Sequence, residues 1–110
     1  MTLLLVGTSH RLAPLEIRER VALDADGEAA LAARLGEGGE AVCVSTCNRT
    51  ELYLAATDTA AAAERATDAL AELGGIDRTE LDPYLYRLEE EAAALHLFRV
   101  AAGLDSLVPG

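Results

Sequence analysis

Residues 45–51, with the sequence STCNRTE, place Cys47 among small polar side chains, with Arg49 two positions further on. The apolar residues 41–44 before this segment and 52–55 after it predict two buried strands, so the segment is expected at a turn between them. A thiol in such a turn is accessible to solvent. A nearby guanidinium or unpaired backbone N–H groups lower the pKa of a cysteine, and the thiolate is the nucleophilic form. The pattern therefore predicts a nucleophilic cysteine at position 47.

The second cysteine, Cys43, lies inside the apolar strand and has no polar neighbour that would activate it. If the chain between the two cysteines is extended, their Cα atoms lie roughly 13 Å apart. A disulfide tolerates only about 7 Å. The two cysteines and two histidines also lack the short C-x-x-C and H-x-x-x-H spacings of metal sites. We therefore expect two free thiols and no metal.

Length and composition predict one domain over residues 1–110. A chain of 110 residues, 51% of them hydrophobic, can build one modest core. Nine basic and nineteen acidic residues give a formal net charge of -10, which makes the chain by itself a poor nonspecific binder of nucleic acid. No apolar run approaches the ~20 residues of a membrane span, and the first residues lack the features of a cleaved signal. We therefore expect a cytoplasmic protein with no membrane partner.

Hydrophobic periodicity predicts four strands, which lie at residues 2–8, 41–44, 52–55 and 84–88. It also predicts helices at residues 28–35, 57–73 and 90–102, and an irregular or helical stretch at 14–21. Asp24 or Asp26 is expected to cap the helix at 28–35, and Thr57 is the capping candidate of the next one. The element order predicts an α+β fold, a ferredoxin-like split βαβ sandwich. Its four-stranded antiparallel sheet would carry helices packed on one face, plus a C-terminal helix.

Three blocks of the sequence resemble the glutamyl-tRNA reductase family. They are GTSH at 7–10 with the nearby Ala13, Pro14, Arg18 and Glu19, then STCNRTELY at 45–53, then HLFRVAAGLDS at 96–106. The blocks follow the family's order and spacing and span the chain. The resemblance implies an NADPH-dependent oxidoreductase of porphyrin biosynthesis that converts the glutamate of glutamyl-tRNA to glutamate-1-semialdehyde. It also implies that the full-length protein is a homodimer.

The resemblance assigns roles to individual residues. Cys47 matches the family's nucleophile, whose thiolate attacks the glutamyl ester and forms a thioester that NADPH reduces. His96 matches a histidine associated with activity, and its near-neutral pKa suits a polarising or proton-transfer role. Arginine can hold a carboxylate through two parallel N–H bonds. The positions that match the binding site of the glutamyl group are Thr46, Asn48, Arg49 and Ser106.

Several of these residues have a structural alternative. Arg49 could pair with Glu51 on the surface, an arrangement worth under ~1 kcal/mol. His96 lies among apolar residues and could be a core histidine that bonds a backbone carbonyl. Ser106 could be a helix cap.

The chain also departs from a complete reductase. No G-x-G-x-x-G follows a predicted strand, and 110 residues leave no room for an NADPH domain. We therefore expect a catalytic domain over residues 1–110, without its NADPH-binding and dimerisation domains, that cannot complete the reduction alone. The alternative function is a noncatalytic ferredoxin-like module that binds a small ligand or a partner protein. The reactivity of Cys47 towards an alkylating reagent distinguishes the two.

Overall fold

The computed structural model describes residues 2–36 and 40–101. In chain order the elements are β1 (Thr2–Ser9), α1 (Leu15–Arg20), α2 (Ala25–Leu35), β2 (Ala41–Ser45), β3 (Arg49–Ala56), α3 (Thr59–Gly74), α4 (Arg78–Leu81), β4 (Tyr86–Glu89) and α5 (Glu90–Ala101). A 3-10 turn (Asp82–Tyr84) connects α4 to β4.

The strands form one sheet in the order β2-β3-β1-β4, and each neighbouring pair is antiparallel. The connection from β1 to β2 crosses over β3, and the connection from β3 to β4 crosses over β1. This is the strand order of the ferredoxin-like split βαβ sandwich. The predicted fold class is therefore confirmed.

The two faces of the sheet carry different helices, because successive side chains of a strand point to opposite sides. Leu4, Leu52 and Leu54 belong to the larger core, which they form with residues of α2 and α3. Leu5 and Tyr53 lie on the other face and pack against Ala93 of α5. The C-terminal helix therefore covers the face opposite to α2 and α3, which the sequence did not predict.

Several predicted boundaries need correction. The fourth strand begins at Tyr86 and not at residue 84, and α3 begins at Thr59 and not at residue 57. Residues 45–51 are not all in a turn, because β2 ends at Ser45 and β3 begins at Arg49. The N-cap of α3 is Asp58, whose carboxylate accepts a hydrogen bond from Ala61 N at 3.0 Å, and not Thr57. The short helix α4 was not predicted. Of the two candidate caps of α2, Asp24 is confirmed, since it accepts from Gly27 N at 2.8 Å; the helix begins at Ala25 and not at residue 28.

A sharp corner joins β4 to α5. The strand ends at Glu89 and the helix begins at Glu90, which has a φ of 53°. A positive φ is uncommon for any residue other than glycine. The corner turns the chain back over the sheet, so that α5 lies across the face that carries Tyr53. Among the described residues, no helix is long and apolar enough to cross a membrane.

Candidate active site

Cys47 lies in the three-residue turn between β2 and β3. Thr46 N donates a hydrogen bond to Arg49 O at 2.8 Å, which closes the turn. Asn48 N donates to the hydroxyl of Thr46 at 3.2 Å. The Cys47 thiol is free and exposed, as the sequence predicted. The geometry therefore presents a thiol to solvent at the end of the sheet.

Two neighbouring segments hold this turn from outside. His10 N, just after β1, donates to Asn48 O at 2.7 Å. Arg18, on α1, donates from Nη1 to Cys47 O at 2.9 Å. The carbonyl groups of two successive turn residues are therefore bonded to two different parts of the chain.

The other cysteine is in a different environment. Cys43 is free and buried in β2, in the core under α2 and α3. Burial raises the pKa of its thiol to about 11, and the negative charge of Glu28 acts in the same direction. Cys43 therefore keeps its proton at neutral pH, which fits the sequence-based expectation that it is structural. Within residues 2–36 and 40–101, no group of three or more His, Cys, Asp or Glu residues could hold a metal ion.

A buried ion pair between Arg49 and Glu51 lies at the start of β3, just after the turn that contains Cys47. Arg49 and Glu51 are two residues apart on the strand and so point to the same face, the one covered by α5. Arg49 Nη1 lies 3.3 Å from Glu51 Oε2, and the two side chains are 4% and 0% exposed. The alternative of a surface pair is therefore wrong, because the pair forms in the interior. A buried pair of this kind is strongly destabilised when one partner is removed.

Glu51 is the centre of a polar cluster beneath α5. Its Oε1 accepts a hydrogen bond from Tyr53 Oη at 2.7 Å. Its Oε2 contacts Arg49 Nη1, the hydroxyl of Tyr86 and, at 2.6 Å, His96 Nε2. A carboxylate only accepts hydrogen bonds, so each of these partners must donate to it. We call Arg49, Glu51, Tyr53, Tyr86 and His96 the Glu51 cluster.

Gly7 makes room for the Glu51 cluster. It lies on β1 between the two neighbouring strands and is paired with Glu51 on β3 and with Tyr86 on β4. A Cβ at Gly7 would come within 2.8 Å of Glu51 Cγ and 2.8 Å of Thr50 O. Real side chains do not tolerate such distances to backbone atoms. The absence of a side chain at Gly7 therefore lets the side chains of Glu51 and Tyr86 meet across β1.

His96 is oriented by this cluster. It lies one turn after Ala93 on the same face of α5, and its ring centroid is 5.5 Å from that of Tyr86. Its Nε2 bonds the Glu51 carboxylate, whereas the structural alternative had a bond to a backbone carbonyl. Burial raises the pKa of Tyr86 far above its ordinary value, and the adjacent Glu51 adds to this effect. Tyr86 therefore remains a hydrogen-bond donor to Glu51.

The predicted site residues occupy two adjoining regions. Thr46, Cys47 and Asn48 form the exposed turn, whereas Arg49 and His96 belong to the buried cluster. Ser106 lies outside the described residues.

Sequence reasoning missed three members of the cluster. Glu51 was considered only as a surface partner of Arg49, and Tyr53 and Tyr86 were assigned no role. The signal that could have found them is the alternation of Arg49, Glu51 and Tyr53 on one face of a strand otherwise rich in apolar residues. A glycine in the neighbouring strand is a second signal, because it marks a close approach.

Comparisons with known proteins agree with this fold. The family model for the N-terminal domain of glutamyl-tRNAGlu reductase matches residues 6–110. The glutamyl-tRNA reductase of Myxococcus xanthus is 49% identical over 111 residues, and the match covers 100% of this chain and 24% of that protein. The glutamyl-tRNA reductase of Shewanella frigidimarina is 44% identical over 114 residues, covering 100% of this chain and 26% of that protein.

A solved structure also matches. The glutamyl-tRNA reductase from Methanopyrus kandleri superposes with a TM-score of 0.64 and 28% sequence identity, covering 96% of this chain and 23% of that chain. The present chain therefore spans about a quarter of the length of these relatives.

Proposed function

Because this chain belongs to the family of the glutamyl-tRNA reductase N-terminal domain, we propose that it performs the acyl-transfer half of glutamyl-tRNA reduction. The whole enzyme would make glutamate-1-semialdehyde for porphyrin biosynthesis. The observation that carries the proposal is the exposed, free thiol of Cys47. It lies in a turn whose backbone carbonyl groups accept hydrogen bonds from Arg18 and His10. The proposed compartment is the cytoplasm, where free thiols stay reduced.

In the proposed step the Cys47 thiolate attacks the carbonyl carbon of the ester that joins glutamate to the tRNA. A carbon–sulfur bond forms and the bond between that carbon and the ribose oxygen breaks. The ribose oxygen leaves with the electron pair and takes up a proton, which regenerates a free hydroxyl on the tRNA. The product is a glutamyl thioester on Cys47. A thioester accepts a hydride more readily than an oxygen ester, because sulfur donates less electron density to the carbonyl.

We assign His96 to proton transfer in this step. Its Nε2 faces Glu51, so Nδ1 is the ring nitrogen that would exchange a proton with the substrate. The carboxylate of Glu51 fixes the orientation of the ring, and Tyr86 and Tyr53 in turn fix the carboxylate. A histidine held in this way can donate or accept a proton at its other ring nitrogen.

The glutamyl group would be held by the residues around the turn. Thr46 and Asn48 flank the nucleophile and offer hydroxyl and amide groups. Arg49 would bind the carboxylate of the glutamyl side chain. A guanidinium presents its donors as a planar fork that matches a carboxylate. Ser106 is assigned to the same group by its match to the family alone.

NADPH is the proposed reductant of the whole enzyme, and it would supply a hydride to the thioester. The residues of this chain do not fit a dinucleotide, because none of its nine glycines forms a G-x-G-x-x-G pattern after a strand. We therefore assign no residue here to NADPH and place its site outside residues 1–110. The proposed full-length enzyme is a homodimer that binds glutamyl-tRNA.

The test is transfer of radiolabelled glutamate from tRNA to the 110-residue chain. The label should become protein-bound without NADPH, survive digestion of the tRNA, and be released by hydroxylamine, which cleaves thioesters. Cys47→Ser should abolish the transfer, while Cys43→Ser, which changes the other free thiol, should retain it. Equal labelling of the two variants, or no labelling of the folded wild-type chain, contradicts the proposed function.

A further inference from the structure

Arg18 donates a hydrogen bond to the backbone of the proposed nucleophile. Its Nη1 donates to Cys47 O at 2.9 Å, and its Nε donates to Ala13 O at 3.2 Å. The same guanidinium therefore joins the turn between β2 and β3 to the segment that precedes α1. The planar group presents its donors in a fixed arrangement, so both bonds constrain the carbonyl of Cys47 in position and direction.

Backbone hydrogen bonds hold the residues on either side of Cys47. The next carbonyl, that of Asn48, accepts from His10 N at 2.7 Å, and Thr46 N donates to Arg49 O at 2.8 Å. The backbone on both sides of the thiol is therefore anchored. Of these contacts, the one from Arg18 is made by a side chain and acts on residue 47 itself. It can be removed by substitution without changing the turn sequence.

The strands below the turn are attached to the same region of the chain independently of Arg18. The hydroxyl of Ser45 accepts from Leu23 N at 2.9 Å, and the hydroxyl of Thr50 donates to Val21 O at 3.2 Å. Glu28 accepts from Ser45 N at 2.6 Å. These bonds fix α1, α2 and the hairpin relative to one another. Loss of Arg18 is therefore expected to release the carbonyl of Cys47 while the hairpin and α1 stay in place.

We propose that Arg18 is a positioning residue for acyl transfer, which holds the Cys47 peptide so that the thiol meets the ester carbonyl. This inference rests on the function proposed above. Productive attack requires the reacting atoms at about 3–3.5 Å with aligned orbitals, and a displacement of about 1 Å can cost on the order of 100-fold in rate. Removing Arg18 should therefore lower the rate of thioester formation while substrate binding is retained.

The experiment measures single-turnover transfer of glutamate from tRNA to the chain over a range of protein concentrations. Arg18→Met should lower the limiting rate by about 10-fold or more, with the half-saturating concentration changed by less than about 3-fold. Arg20→Met is the matched control, because Arg20 is an exposed arginine on the same helix. Its limiting rate should equal that of the wild type. Circular dichroism establishes that each variant is folded.

Chemical rescue separates positioning from a general structural role. Low concentrations of guanidinium ion should restore part of the lost rate in Arg18→Ala and should not accelerate Arg20→Ala. Arg18→Lys keeps the charge but not the two-point contact, so it should transfer glutamate more slowly than the wild type. If the Met variant does not fold, the Lys variant is used in its place.

Three outcomes would contradict the positioning role of Arg18. Arg18 variants that transfer glutamate within about 2-fold of the wild type overturn the role of Arg18 and leave the proposed function intact. A loss of rate that appears only as a raised half-saturating concentration assigns Arg18 to substrate binding and also overturns it. If the folded wild type forms no thioester, the proposed function is wrong and the role of Arg18 falls with it.

Discussion

Replacement of Glu51 by glutamine tests the buried cluster directly. The substitution keeps the size of the side chain, so it leaves no cavity. It removes the charge that faces Arg49 and replaces one accepting oxygen by an NH2 group among four donors. Breaking a buried ion pair by removing one partner costs about 3–5 kcal/mol. Because domains are stable by about 5–15 kcal/mol, the loss is a large fraction of the total.

The chain contains a matched control for this substitution. Glu72 also pairs with an arginine, Arg34, at 2.9 Å, but these side chains are 69% and 56% exposed. An exposed pair is worth under about 1 kcal/mol, so Glu72→Gln should have a small effect.

Urea denaturation followed by circular dichroism measures both variants. With an m-value of about 2 kcal/mol per molar urea, Glu51→Gln should lower the midpoint by roughly 2 M. Glu72→Gln should lower it by less than about 0.5 M. Equal midpoint shifts in the two variants would refute the conclusion that the cluster is a buried, mutually dependent set of contacts.

Three further predictions concern Gly7 and the cysteines. Gly7→Ala should destabilise the fold by about 1–3 kcal/mol, because the added methyl group meets Glu51 and the Thr50 carbonyl at 2.8 Å; a free energy of unfolding within about 0.5 kcal/mol of the wild type would contradict this. Iodoacetamide at pH 7.5 should modify Cys47 in the folded chain and Cys43 only after denaturation, as measured by peptide mass spectrometry, and early modification of Cys43 would show that its burial is wrong. The thiol of Cys43 has a pKa of about 11 in the folded chain against an ordinary value of 9.0. Between pH 9 and pH 11 the unfolded chain therefore loses this proton while the folded chain keeps it, so stability should fall as the pH rises. Cys43→Ala should flatten that part of the curve of Tm against pH, and identical slopes in the two proteins would count against the shift.

The strands of the sheet can be predicted from the sequence, because each one is indicated by residues that are neighbours in the chain. Short apolar runs identify the first three strands and alternation identifies the fourth, and the carboxylate of Asp24 marks the start of α2. The order of elements then leaves few arrangements, of which the split βαβ sandwich is one. The exposure of Cys47 follows from the same reasoning, because polar residues between two apolar strands predict a turn.

The part of the Glu51 cluster that Tyr86 and His96 supply could not be predicted, because these two contacts are distant in sequence. Tyr86 and His96 are 35 and 45 positions away from Glu51. Most glutamates and arginines in proteins are exposed, so a glutamate near an arginine in the sequence is first interpreted as part of a surface pair. Its burial depends on which face α5 covers, and that depends on the sharp corner at Glu90. Apolar periodicity identifies buried positions but does not indicate which helix covers them.

The role of Cys47 as the nucleophile is tested by locating the acyl group on the protein. The folded chain is incubated with glutamyl-tRNA without a reductant, quenched in acid and digested, and its peptides are sequenced by mass spectrometry. We expect a glutamyl group on Cys47, absent after treatment with hydroxylamine, and an unmodified Cys43. A glutamyl group on Cys43 or on another side chain, with Cys47 unmodified, would show that Cys47 is not the nucleophile.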